Sequence, residues 1–304
     1  MIRSIIVTNY LGDSIELELA RPDKSGFAVT SVSGIGPGTA TINTTDISTN
    51  DGALYNSARV DSRNIVLGIT YLWKNSIEEA RHLSYKYFPL KNKCTLRFIT
   101  DTRDCEIDGY VESNDPDIFS SDETTSISII CPNPFFYSAG DGAETRTDFW
   151  SIEPKFEFPF SNESLTEPLI IMGDMLTYYT KNITYYGDAD IGVTMSIQAY
   201  GTAKNISIYN TETRETMTIN TDRIKTITGT AFGTGDVIEI STVKGNKYIK
   251  LLRGGIYTNI LNCLDKNADW FQLHRGNNVF AYAAEEGATN IRFVVTNRQY
   301  YEGV

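Results

Sequence analysis

His82 and His274 are the only imidazoles in 304 residues, so catalysis by the usual acid–base or nucleophilic routes has few places to sit. His82 lies two positions off the apolar stripe of a helical pattern, and His274 falls in a hairpin turn. No G-x-S-x-G elbow, H-E-x-x-H helix or phosphate-binding lysine loop accompanies either. Both read as surface residues, and the chain reads as a non-enzyme; a hydrolase using His274 with a nearby acid is the one catalytic alternative. Cys94, Cys105, Cys131 and Cys263 show no C-x-x-C spacing and lie too far apart for a disulfide framework or a zinc knuckle. They point to a chain made in a reducing cytosol, where sequons such as that at Asn182 carry no meaning. No metal and no cofactor is expected.

Two further motifs fail on their flanks. Gly34-x-Gly36-x-Gly38 follows a strand in the manner of a dinucleotide loop, but that loop needs a helix directly after it. Here Thr39-Ala-Thr-Ile-Asn continues as β pattern, and Pro37 removes an amide. Asp104-Cys-Glu106-Ile-Asp108-Gly109 opens like a calcium loop, yet its twelfth position is Asp115 and no helices flank it. The alternation describes a strand instead, with Cys105, Ile107 and Val111 on one side and Asp104, Glu106, Asp108 and Glu112 on the other. Nine acids and one base, Arg103, lie between Asp101 and Glu123. The plain reading is a solvated strand face. The sharper one is an acidic surface that, repeated around a channel, would repel a passing polyanion. Trp150, Trp270 and Phe271 could stack on sugars, or simply fill a core.

The elements that must carry these residues are mostly strands. Ser4–Val7 and Ser14–Leu19 flank a hairpin turn, and Phe27–Ser33 and Thr39–Asn43 are short strands. Residues 44–56 are polar and unpatterned and read as a loop, after which Arg59 to Trp73 is strand material broken near Asp61–Asn64. Ser76 with Glu79 forms a capping box ahead of a helix with Ile77, Ala80, Ser84 and Tyr87 on one face, stopped by Pro89. Strands at Lys93–Thr100, Asp104–Glu112 and Ser126–Cys131 complete an N-terminal α+β domain, a sheet with one helix, over residues 1–137. Residues 138–150 read as a turn-rich linker. From 151 to 304 the pattern is nearly pure β, with strands at the spacing of a sandwich.

Net charge −11 argues against a nucleic-acid binder and against electrostatic docking on anionic lipid. A hydrophobic content of 41% is too high for disorder, and 18 Tyr with 14 Phe suit a strand-rich fold. The N-terminus shows no signal-peptide core, and no window reaches the length of a membrane span.

Taken in order, several stretches resemble the distal tail proteins of long-tailed bacteriophages, the siphovirus tail component family. They are Thr41-Ile-Asn43 through Asp51-Gly-Ala53, Arg59, Arg63-Asn-Ile-Val-Leu67, the helix to Phe88, Lys93-Cys-Thr-Leu-Arg-Phe98 and Cys105 to Glu112. Cys131-Pro-Asn-Pro-Phe-Phe-Tyr137, Gly235 to Thr242, Trp270 to Asn278 and Tyr301-Glu-Gly-Val304 continue the likeness. The resemblance implies a structural protein of the virion, at the phage tail tip, assembled in the bacterial host cytoplasm. It implies a homohexameric ring around the DNA channel between the tail tube protein and the tail-tip hub or tail-associated lysin. Tape-measure protein would lie nearby, and a galectin-like C-terminal β-sandwich would offer a docking platform for receptor-binding proteins. On that reading DNA passes without specific binding. Asp104, Glu106, Asp108 and Glu112 become a candidate channel-lining face, and the 44–56 loop, with Asp46, Asn50, Asp51 and Tyr55, a candidate belt between subunits. The alternative from another class is a carbohydrate-binding β-sandwich adhesion protein.

Overall fold

The computed structural model describes every residue except 49–50, 73–75, 121–122, 155–165, 167–172 and 178. Among the described residues no helix is long and apolar enough to cross a membrane. The chain forms two compact units, Met1–Ala143 with Gln299–Val304, and Glu144–Arg298.

In the first unit the elements are β1 (Ile2–Asn9), β2 (Ser14–Glu18), β3 (Phe27–Ser33), β4 (Ala40–Asp46), β5 (Ala53–Val60), β6 (Arg63–Tyr71), α1 (Ile77–Tyr87), β7 (Lys93–Thr100), β8 (Asp104–Pro116), β9 (Thr124–Cys131) and β10 (Phe136–Ser138). An antiparallel sheet runs β2-β1-β7-β8-β9-β6-β3 and curls until β2 and β3 approach each other. The period-2 alternation puts Ile65, Leu67 and Ile69, Leu96 and Phe98, Ile107, and Ile127 and Ile129 on the inner face, all fully buried. Burying each such side chain contributes about 1.5–3 kcal/mol, which holds the register of every strand. Asn9 closes the β1–β2 turn by accepting from the amides of Leu11 and Asp13, both at 3.0 Å.

Helix α1 starts where its sequence says it should. Ser76 Oγ accepts from the Glu78 amide at 3.2 Å, and the chain leaves the helix at Phe88, before Pro89. Ala80 and Tyr87 pack on the core, and buried Ser84 meets the Tyr71 hydroxyl at 2.9 Å. Arg81 reaches Glu123 in a bidentate pair of 2.5 and 2.8 Å, with Glu123 almost fully buried. This pair ties the helix to the residue just before β9.

The second unit contains β11 (Glu144–Asp148), β12 (Trp150–Pro154), β13 (Gly173–Thr177), β14 (Thr180–Tyr185), β15 (Ile191–Gly192), β16 (Thr194–Ala199), β17 (Lys204–Asn210), β18 (Glu215–Ile219), α2 (Thr221–Thr228), β19 (Val237–Ser241), β20 (Tyr248–Arg253), β21 (Ile256–Asn259), β22 (Gln272–Leu273), β23 (Gly276–Glu286) and β24 (Ile291–Arg298). A six-stranded sheet, β11-β24-β16-β19-β20-β21, faces a four-stranded one, β14-β23-β17-β18. Tyr282 of the smaller sheet lies 5.5 Å from Phe293 of the larger, ring centre to ring centre, inside a β-sandwich core.

Three local readings change, and one runs past the described residues. Residues 44–56 are not a plain loop, because β4 and β5 pair across them as a two-stranded ribbon. Trp73 lies outside the described residues. Glu144–Asp148, read as linker, pairs with β24 as an edge strand of the sandwich. Helix α2 was not expected in a β pattern, although Asn220 caps its start and Gly229, at φ 80°, its end.

The last strand, β25 (Tyr300–Tyr301), pairs with Phe136–Tyr137 in the first unit, whereas the sequence reading ran the second domain through residue 304. Backbone hydrogen bonding to β10 decides this, and no side-chain pattern announces it.

Candidate interaction surfaces

The acidic strand face exists, and the neighbouring strand rewrites its charge. On β8, Cys105, Ile107 and Val111 are buried while Asp104, Glu106, Asp108 and Glu112 point outward. The β7–β8 register sets Thr95 beside Asp108 and Arg97 beside Glu106. Arg97 forms a bidentate pair with Asp104 at 2.8 and 2.6 Å. Asp108 accepts from Thr95 Oγ1 at 2.6 Å and lies 2.9 Å from Lys93 Nζ. Burial pushes the Asp108 carboxyl up, but Thr95, Lys93 and Tyr137 together outweigh it and leave the pKa lowered. Glu112 accepts from Ser128 Oγ at 2.7 Å. Two cations from β7 therefore stand among four carboxylates. A count along β8 alone overstates the negative field.

Gly34, Gly36 and Gly38 do structural work. Gly34 adopts φ 78°, and a Cβ there would lie 2.0 Å from the Asn64 carbonyl oxygen, so a side chain is excluded. The carbonyls of Gly34 and Gly36 accept from the Arg63 guanidinium, which also donates to Pro134 O and Glu302 O, both at 2.7 Å. Arg63 is only 6% exposed and lies 4.7 Å from the Phe136 ring centre. Arg103 donates to Gly303 O at 2.9 Å and stacks on Tyr301. Arg63 was not singled out from sequence as a site residue. Its signal was position, at the base of the exposed ribbon and at the start of a buried strand.

That ribbon, β4–β5, is the most exposed element of the first unit: every residue of β5 and all of β4 but Thr41 are exposed. Asp46, Asp51 and Tyr55 lie on it or at its free end, whereas Asn50 lies outside the described residues.

The catalytic and sugar-stacking candidates are less promising in three dimensions. His82 is exposed on α1. His274 Nδ1 does stand 3.0 Å from Asp190 Oδ1, but both are half-exposed, and among the described residues no hydroxyl or thiol is hydrogen-bonded to the ring. Buried Asn278 anchors that turn through the His274 amide and carbonyl. All four cysteines are free and buried, and desolvation pushes the Cys94 and Cys131 thiols up to about 12 and that of Cys105 to about 11. Among the described residues no cluster of His, Cys, Asp or Glu could hold a metal ion. The Arg292 guanidinium covers a face of Trp150 at 4.5 Å, Lys247 lies 5.1 Å over Trp270, and Phe271 is fully buried.

Residues 186–298 match the family described as siphovirus-type tail component, C-terminal domain. Among curated proteins no sequence matches. In the crystal structure of Dit from phage SPP1, described as a paradigm of the hub adsorption apparatus in phages infecting Gram-positive hosts, 98% of the chain superposes on 97% of this one. The TM-score is 0.64 at 12% identity. A chain of the phage P2 baseplate, in its activated conformation with calcium, matches over 99% of its length and 98% of this chain, with a TM-score of 0.50 at 13% identity. This family and these neighbours are structural proteins of phage tails and baseplates, not enzymes. Most of the second unit is thus similar to the C-terminal domain of siphovirus-type tail components, and the chain as a whole has a fold like that of SPP1 Dit.

Proposed function

We propose that this protein is a distal tail component of a long-tailed phage or prophage. Six copies form a ring around the DNA channel, joining the tail tube to the tail-tip hub, and the sandwich offers a docking platform for receptor-binding proteins. The observation that carries this reading is the likeness to a distal tail protein along 97% of the chain, both units included. The exposed β4–β5 ribbon supports it, since an isolated two-stranded ribbon is marginal in water and gains stability by covering a neighbour. A ribbon on one surface and its receiver on another make a heterologous contact, the kind that closes into a ring. In this reading Asp46, Asp51 and Tyr55 belong to the belt, and Asp104, Glu106, Asp108 and Glu112 line the channel, with Lys93 and Arg97 moderating their charge.

Light scattering across a concentration series, followed by electron microscopy, tests the ring: the expected species has six times the chain mass and a central hole. Gold-labelled antibody on intact particles should mark the tail tip. A strictly monomeric chain at every concentration, together with label away from the tip, overturns the proposal.

A further inference from the structure

The hairpin joining β8 to β9 ends in a knob that its own chain leaves uncovered. Phe119 is 100% exposed and Ile118 53% exposed, side by side at the tip. A large apolar pair held wholly in water marks a contact made elsewhere. The stalk beneath it is firmly held. Pro116, with its fixed φ, pairs with Thr125, and the Asp117 amide donates to Thr124 O at 2.8 Å. Thr125 Oγ1 donates to Asn114 Oδ1 at 2.6 Å, and Asn114 Nδ2 donates to Ser84 Oγ on α1 at 3.4 Å. On the other side Glu123 is fastened by Arg81, and its carbonyl accepts from the Tyr71 amide at 3.0 Å. The tip thus stands on a braced base, and burying its ring costs little further ordering of the stalk.

The charge around the knob has one sign. From Asp104 to Glu123 the chain contains no lysine, arginine or histidine, and Asp115 and Asp117 are exposed beside the tip. On α1, which braces the hairpin, Arg81 is taken by Glu123 and Lys86 pairs with Asp13. An apolar knob with an acidic rim is the complement of an apolar cavity with a basic rim. The same acids oppose docking on anionic lipid. Two largely apolar hollows of the first unit lack such a rim. One of about 630 Å³ beside β2 sets Glu16, Glu18 and Asp101 against the Met1 ammonium and Arg3. The other, of about 290 Å³ between β3 and α1, sets Asp23 and Glu79 against Lys24. Neither suits the knob of a second copy, which directs it to a different protein. Resting on the tail reading above, we propose that Phe119 and Ile118 anchor this protein in an apolar, Lys/Arg-rimmed cavity of another tail protein.

Benzoylphenylalanine in place of Phe119, in particles carrying the full chain, tests this by photo-crosslinking and peptide mass spectrometry. The expected product joins residue 119 to one different tail protein, at apolar residues flanked by Lys or Arg. Reversing the rim with Asp115→Lys and Asp117→Lys should lower its yield by about fivefold or more. Phe119→Ser should leave the melting transition unmoved, because the ring covers nothing on its own chain. A product between two copies of this chain, a yield indifferent to the charge reversal, or a clear fall in melting temperature overturns the inference. So does the lack of any product in particles where antibody marks the protein at the tail tip, and in each of these cases the tail reading stands. Particles that lack the protein altogether overturn that reading and this inference with it. The isolated protein should not float with phosphatidylcholine–phosphatidylglycerol vesicles; flotation that Phe119→Ser abolishes would assign the knob to a membrane instead.

Discussion

Replacing Arg63 by methionine should loosen the first unit at the seam where its last strand joins it. The guanidinium serves four carbonyls, those of Gly34, Gly36, Pro134 and Glu302, from a position that is 6% exposed. A hydrogen bond from a charged donor contributes roughly 1.5–3 kcal/mol, so four bonds at the low end amount to about 6 kcal/mol. Burial opposes the charge, drawing the guanidinium pKa down, and an apolar chain of similar volume recovers about 2 kcal/mol of that desolvation. The expected loss is about 4 kcal/mol. In a unit of about 150 residues this corresponds to a fall of roughly 10 °C in its melting transition. Differential scanning calorimetry should show that shift in one transition, with the other unmoved, because the chain has two units. Hydrogen exchange supplies the local signature: the Val304 amide, which donates to Ile35 O at 3.1 Å, and the Ser138 amide, bonded to Gln299 O at 2.9 Å, should lose protection. A shift below about 2 °C with Val304 still protected would show that the carbonyls do not depend on Arg63, and the reasoning would fail.

Further outcomes follow from other contacts. Arg81 holds the Glu123 carboxyl below the usual carboxylate range, so the pair adds stability above the unfolded value near ~4.3 and loses it as pH falls through the lower folded value. Glu123→Gln should therefore flatten the acid limb of the first unit's stability curve; superimposable acid titrations of parent and variant would contradict this. Gly34→Ala should cost about 2–3 kcal/mol, whereas Gly36→Ala, with open space around it, should be near neutral. Equal urea midpoints for the two variants would argue against the close approach of Gly34 to Asn64. The native protein should leave a thiol reagent at mildly alkaline pH unconsumed, and all four cysteines should react once it is unfolded; rapid native labelling would show an opening at one of them.

Much of the first unit was legible because its strands bury one face. Ile65, Leu67 and Ile69, or Cys105, Ile107 and Val111, keep strict alternation, and a strand that must hide one side has little choice of register. The Ser76 cap and Pro89 bounded α1 for equally local reasons. Helix α2 escaped notice because at eight residues it buries only Thr221 and Ile224, too few for a visible period. The sandwich was legible as a sequence of strands, but strand order was not, since β24 pairs with β16 across nearly a hundred residues. Among the candidate chemistry, the failure of the Gly34 and Asp104 motifs could be read from their flanks. The His274–Asp190 pair is a tertiary coincidence of two turns.

The sequence by itself determined an acidic, strand-rich chain whose catalytic-looking motifs fail on their flanks, because composition, motif flanks and short-period patterning are local properties. Only the tertiary structure decided where the charges and apolar faces meet. Lys93 and Arg97 temper the acids of β8 because β7 lies beside it, a fact of pairing. The last six residues join the first unit because backbone hydrogen bonds carry them to β10 and Arg63 and Arg103, distant in sequence, hold their carbonyls. Residues 44–56 looked patternless because they hold only the facing ends of β4 and β5, and one unpaired residue, Asn56, reverses the alternation midway along β5. The bulge turns a polar tract into a ribbon with one apolar face, and a period interrupted by a bulge becomes visible only when its partner strand is in place.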